Sequence, residues 1–141
     1  MGTTSSGTAA PTTTAPTTGS DPAAIAARFT VAYFTAGVGD TPEDRRRRCR
    51  PLDTDALDEL LGNPTWNGAG ANIPLAGATT TVTIQALNPV ETDSGGVGYE
   101  LIVVLIPVAA GHELGRDRRG VEIWVERDPV GSWRVSQISV T

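Results

Sequence analysis

The longest apolar run in the chain is Gly98-Tyr99-Glu100-Leu101-Ile102-Val103-Val104-Leu105-Ile106-Pro107-Val108. It is shorter than the roughly 20 apolar residues a membrane-crossing helix needs, and its β-branched content favours a strand. Alternation places Tyr99, Leu101, Val103 and Leu105 on one face and Ile102, Val104 and Ile106 on the other. Both faces are apolar, so the run is expected to be the central strand of a sheet, with something covering each side.

The same period of two recurs on either side of it. From Ala78 onward Val82, Ile84 and Ala86 alternate with Thr81, Thr83 and Gln85, a strand with one buried face. Asn88 to Gly96 reads as a turn-rich link into the central strand. A further strand, Val121 to Glu126, puts Glu122, Trp124 and Glu126 on the second face. Asp128-Pro129-Val130-Gly131 is a tight hairpin, with proline suited to the second turn position and glycine to the left-handed one. In the last strand, Ser132 to Val140, Trp133 and Val135 share one phase while Ile138 and Val140 share the other. A β-bulge near Ser136-Gln137 would reconcile them.

Ahead of the strands the period is 3.6. Asp21 is placed as an N-cap and Pro22 at the first helical position, where its missing N–H does no harm. The helix is predicted to run to about Ala36 and stop at Gly37. Ile25, Phe29, Ala32 and Ala36 form its stripe, Tyr33 lies on the edge, and Val31 and Phe34 point nearer the opposite side, so its second half is expected between two layers. Thr41-Pro42-Glu43-Asp44 opens a second, short helix that ends before Pro51, with two acids against the positive end of its dipole. A third helix has Asp53 as its expected cap, Leu52 and Leu57 as a hydrophobic staple, Leu57, Leu60 and Leu61 as its apolar edge, and Gly62 as its stop. The Gly/Asn/Pro-rich stretch 63–76 follows, in which Trp66 either plugs the open end of the sheet or stands in a binding surface.

Composition narrows the picture. The 141 residues suit one domain, assigned to 21–141. Residues 1–20 are Thr, Pro, Ser, Gly and Ala with no charged side chain, too little apolar surface to offset ordering entropy, and are expected to be a disordered linker. The segment has neither the basic nor the apolar region of a signal peptide. Thr/Pro-rich tethers join membrane anchors to extracytoplasmic domains, in which case Met1-Gly2 is a start from which an anchor has been removed; a plain cytoplasmic tail is the alternative. The net charge of −5 disfavours general nucleic-acid binding. All 11 basic residues are arginine, five of them within Arg45–Arg50. That run could meet an anionic partner or lipid headgroups, but the acids that follow, Asp53, Asp55, Asp58 and Glu59, favour mutual neutralisation of adjacent helices. The single cysteine, Cys49, permits no internal disulfide and no cysteine zinc site, and is expected to be a small buried apolar group.

Catalytic chemistry finds few carriers. His112 is the only histidine and falls in a turn-like link, so neither a Ser/His/Asp set nor a multi-histidine metal site is available. Glu100 and Glu122 suit a solvated sheet face better than a buried dyad. No glycine-rich phosphate loop precedes a helix. No catalytic residue, cofactor or metal is assigned. Tyr33 is the candidate for a ligand cavity, with a core tyrosine as the plainer expectation.

An opening like Ala27-Arg28-Phe29-Thr30-Val31-Ala32-Tyr33-Phe34, helices before a four-stranded antiparallel meander, and a closing hairpin like Asp128-Pro129-Val130-Gly131-Ser132-Trp133-Arg134-Val135 resemble the nuclear-transport-factor-like superfamily of cone-shaped α+β domains. With a polar tether in front, the chain most resembles the extracytoplasmic domains of conjugation and type IV secretion proteins. That resemblance implies about three helices on a curved four-stranded sheet and a non-enzymatic scaffolding role, associated with the cell envelope, exercised by contact with protein partners and itself. The contact residues expected are Trp66, Trp124 and the strip Ile102, Val104 and Ile106. Isomerase- and dehydratase-like members of the same superfamily imply the alternative, a small molecule inside the cone, with Tyr33, Glu100, Glu122 or His112 as its polar groups.

Overall fold

The computed structural model describes residues 21–38, 40–62 and 77–141. The expectations for the leader 1–20 and for Trp66 lie outside these residues. In chain order come helices α1 (Pro22–Phe34), α2 (Pro42–Cys49) and α3 (Asp55–Leu61), then strands β1 (Thr79–Thr92), β2 (Gly96–Ala109), β3 (His112–Glu113), β4 (Asp117–Arg127) and β5 (Trp133–Val140). The sheet is antiparallel in the order β1-β2-β4-β5, with the two-residue β3 paired to the end of β2. The apolar run is thus central, and the helices pack on one side of an open sheet.

Each helix starts where its cap permits. Asp21 Oδ1 accepts from the Ala23 N–H at 2.8 Å, with Pro22 behind it. Thr41 and Asp44 form a reciprocal capping box, the Asp44 N–H donating to Thr41 Oγ1 at 3.2 Å and the Thr41 N–H to Asp44 Oδ2 at 2.9 Å. The third cap corrects the expectation: Thr54, not Asp53, accepts from the Leu57 N–H, at 3.2 Å. Asp53 is instead drawn into a parallel bridge beside β5, where the Val135 N–H donates to Leu52 O and the Thr54 N–H donates to Val135 O, both at 2.9 Å.

The core lies between α1 and the inner face of the sheet. Phe29, Leu57, Leu101, Val103, Val121, Val125 and Val135 are sealed from solvent, with Ile25, Phe34, Tyr99, Ile123 and Ile138 around them. Burial on this scale stabilises by roughly 1.5–3 kcal/mol per large aliphatic or aromatic side chain. Of the two residues expected on the opposite side of α1, Phe34 is buried at 1% exposure, whereas Val31 departs from expectation and is 41% exposed.

Two strand boundaries also differ. Asn88 to Thr92 are not a turn but the continuation of β1, which stays paired to β2 while its register shifts between Ile84 and Ala86 and again between Pro89 and Glu91. The turn itself is confined to Asp93–Gly95, where Asp93 Oδ1 accepts from the N–H groups of Gly95 and Gly96 at 2.7 and 2.9 Å. In β5, Trp124 pairs with Gln137 and Val125 with Val135, which leaves Ser136 as the extra residue of a bulge. The bulge returns Val135 and Ile138 to the same buried face despite their odd spacing.

Candidate interaction face of the sheet

The outer face of the sheet carries the second set of β2 residues, Gly98, Glu100, Ile102, Val104 and Ile106. Register assigns their neighbours. Ile102 is level with Ala86 of β1 and Gly120 of β4, Val104 with Thr83 and Arg118, Glu100 with Asn88 and Glu122, and Gly98 with Glu91 and Trp124. Among the described residues no helix covers this side, so the expected second cover is absent there.

Two devices shape the face. At one end the Trp124 indole lies over glycine backbone: a methyl at Gly98 would be 3.1 Å from its Cε3, and one at Gly96 would be 2.8 Å from Cε2 and Cζ2. The ring, Gly98, Val90, Glu91, Glu122 and Gln137 border a groove of about 270 Å³. Towards the other end, Arg118 Nε on β4 donates to Gln85 Oε1 on β1 at 3.3 Å, so the pair reaches across β2. Val104, level with Arg118, is only 7% exposed, whereas Ile102 and Ile106 on either side of it are half-buried. Glu100 and Glu122 are exposed and directly opposite each other, a like-charge cross-strand pair.

The other sequence candidates lie elsewhere. Tyr33 is 3% exposed, stacked on Phe29 and edge-on to Phe34, with the Arg45 guanidinium 4.6 Å from its ring centre. Burial raises its phenol above the usual value, against the opposing pull of Arg45. It is a core residue. His112 is exposed in the hairpin from β2 to β3, whose turn at Ala110 and Gly111 has both residues at positive φ, 52° and 80°. Among the described residues no cluster of three or more His, Cys, Asp or Glu side chains is placed to hold a metal.

The arginine run is largely absorbed by local acids. Arg46 and Arg50 both reach Asp58 Oδ2, at 3.1 and 3.4 Å, while Arg47 pairs with Asp44 at 3.1 Å and Arg48 with Asp40 at 2.8 Å. Arg48 also donates through Nε to Ala32 O at 3.0 Å and through its other terminal nitrogen to Thr35 O, capping the end of α1. Cys49 is sealed from solvent, and burial, with Asp53 adding to it, pushes its thiol up to about 12.

The groove and the Arg118–Gln85 crossing went unread in the sequence. The groove had a local signal, Gly96-Val97-Gly98 entering a strand whose neighbour carries a tryptophan. The crossing had none, since its partners lie 33 residues apart.

The sequence matches no family model and no curated protein. Solved structures do match. CagV, a VirB8 homologue of the type IV secretion system of Helicobacter pylori, superposes with a TM-score of 0.65 at 12% identity over 86% of this chain and 98% of its own. An IcmL-like type IV secretion system protein of Legionella pneumophila gives 0.58 at 10% identity over 84% of this chain and 88% of its own. TraH, described as a transfer protein of the Gram-positive conjugative plasmid pIP501, gives 0.52 at 12% identity over 92% and 96%. What such distant chains share is the backbone arrangement, and by it this chain has the nuclear-transport-factor-like α+β fold of these secretion and conjugation proteins.

Proposed function

We propose that the chain is a non-enzymatic, extracytoplasmic scaffolding domain of a conjugation or type IV secretion apparatus, held at the envelope through its N-terminal linker and acting by protein–protein contact, with itself among the partners. The observation that carries this reading is the outer sheet face: the half-buried apolar side chains of Ile102, Ile106 and Trp124 stand on a side that no described helix covers. These apolar groups, interleaved with Thr, Gln, Arg and Glu, give the face the mixed apolar and polar composition of a non-obligate contact surface. The fold shared with secretion and conjugation proteins supports the setting; it does not by itself assign a role. Tyr33, the candidate for a ligand cavity, is packed between aromatic rings and gives the small-molecule reading no support.

The test is transfer in cells that carry the protein's own apparatus. Ile106→Asp and Trp124→Ala, each checked for native folding by circular dichroism and for accumulation at the envelope, are expected to lower transfer at least tenfold. Transfer at the wild-type level in both folded variants would overturn the reading.

A further inference from the structure

We propose that the outer sheet face docks a second copy of this chain, face to face and with its strands reversed, so that Glu122 of each copy meets Arg118 of the partner subunit. This rests on reading that face as a protein-contact surface, and it names the partner and the register.

Charge is segregated along the face. Measured from the level of Ile102 and Gly120, one step of two residues leads to the unbalanced pair Glu100 and Glu122, and the next to the Trp124 groove with Glu91 beside Gly98. In the other direction one step leads to Val104 and Arg118, and the next to the half-buried Ile106. One end is therefore acidic and hollow; the other is basic and apolar.

A homodimer joined through one face is built on a two-fold axis lying between the two sheets. If that axis ran along the strands, each level would face itself and the carboxylates of Glu100 and Glu122 would be stacked on their own copies. An axis across the strands at the level of Ile102 and Gly120 reverses the order of levels. Glu122 then lies over Arg118 of the partner subunit, and the Trp124 ring that covers Gly98, with the groove it borders, lies over Ile106 of the partner subunit. Gly120 sits on the axis, with the Thr141 hydroxyl of the same chain 2.8 Å from where its side chain would begin. The natural twist of packed sheets, about 30° between strand directions, is accommodated by this arrangement.

Arg118 is available for the exchange. In the single chain its acceptor is the neutral, exposed Gln85 at 3.3 Å, and a carboxylate in the partner offers a charge-assisted bond in its place. The same exchange relieves the Glu100–Glu122 repulsion, since each copy brings one guanidinium to the acidic end of the other. Arg134, also on this side of the sheet, is already held by Asp128 at 2.9 Å.

The experiment is native mass spectrometry with light scattering on the full chain over a concentration series. The wild type is expected to dimerise with concentration. Glu122→Arg alone and Arg118→Glu alone are each expected to raise the dissociation constant at least tenfold, since each sets like charges together at both contacts. Mixing these two variants is expected to restore a dimer containing one of each, because both contacts then regain opposite charges. If either swap fails to fold by circular dichroism, Glu122→Gln and Ile106→Gln probe the same contacts and are each expected to weaken the dimer several-fold. A wild type that stays monomeric at its highest soluble concentration, a dimer indifferent to these changes, or folded swap variants that do not pair when mixed would overturn the proposal. If the wild type is monomeric while outer-face variants still abolish transfer, the contact reading stands and only self-pairing falls; unchanged transfer removes both.

Discussion

The indole of Trp124 lies against the bare backbone of Gly98, with a methyl at that glycine placed 3.1 Å from ring carbon Cε3. At Gly96 the same methyl would meet the Val125 carbonyl oxygen at 2.5 Å. A ring at the end of a side chain can tilt by a few tenths of an ångström, but a carbonyl in the β2–β4 ladder cannot move without breaking it. Gly96→Ala is therefore expected to destabilise the fold by about 1–3 kcal/mol, as overpacking does. Gly98→Ala is expected to lie within about 1 kcal/mol of wild type, because the smaller entropy of the unfolded alanine chain offsets part of the crowding. Urea unfolding of the two variants, followed by circular dichroism, checks the ranking, and equal losses would contradict it.

Cys49 lies among arginines, yet burial outweighs them and holds the thiol up at about 12. Thiolate is the reactive form, so a raised thiol pKa and a sealed position both suppress its chemistry. A thiol-specific disulfide reagent at pH 8 is expected to leave the native chain unlabelled and to titrate one thiol per chain in urea, with a labelling rate that follows unfolding. Prompt labelling without denaturant would show that the site opens.

Legibility divides along the distance over which a feature is determined. Caps and periods are local, and Asp21, Thr41 and the alternation of Tyr99, Leu101, Val103 and Leu105 predict what is found. The helices-first order and a single tryptophan hairpin were enough to indicate the fold. The cap of α3 is ambiguous in sequence because Asp53 and Thr54 are both good N-cap residues, and the choice is made by backbone pairing with Val135, some 80 residues away in sequence. Asn88 and Pro89 suggested a turn, but at the edge of a sheet a proline is tolerated and β1 runs through it. On the outer face alternation identified Ile102, Val104 and Ile106, but could not tell that the Arg118–Gln85 pair crosses β2 close to Val104.

Arg48 joins α2 to the end of α1 through three acceptors, Ala32 O, Thr35 O and Asp40 Oδ2. The first two are carbonyls of the last turn and cap of α1, which carry the negative end of its dipole. Arg48→Ala removes a partly buried charge-assisted set and is expected to destabilise by about 1–3 kcal/mol. Arg48→Lys is expected to recover less than half of this, since a point ammonium cannot serve the planar fork. The comparison of the three unfolding midpoints decides it; full recovery with lysine would reduce the role of Arg48 to that of a charge.

Asp53 is 3% exposed, and neither of its carboxylate oxygens has a hydrogen-bond partner among the described residues. Burial pushes its carboxyl up to about 7, with the charge of Asp58 on α3 adding to this and those of Arg134 on β5 and Arg50 after α2 opposing it. The sign follows from linkage. A folded-state value above the unfolded one means that the native chain holds the proton more tightly, so this contribution to stability is complete below about pH 4 and is lost as pH rises through about 7. Asp44, Asp58 and Asp128, whose carboxyls are held below their usual values, act in the opposite sense, and only at pH below the ordinary carboxylate range. Asp53→Asn keeps the shape and removes the titration. Between pH 5 and 8 the wild type is expected to lose stability relative to the variant, with Asp53→Asn the more stable at pH 8, because the amide carries no charge that must be held in a buried site. Urea unfolding at both pH values reads the difference directly. Parallel pH dependence in the two proteins would mean that Asp53 does not titrate in this window.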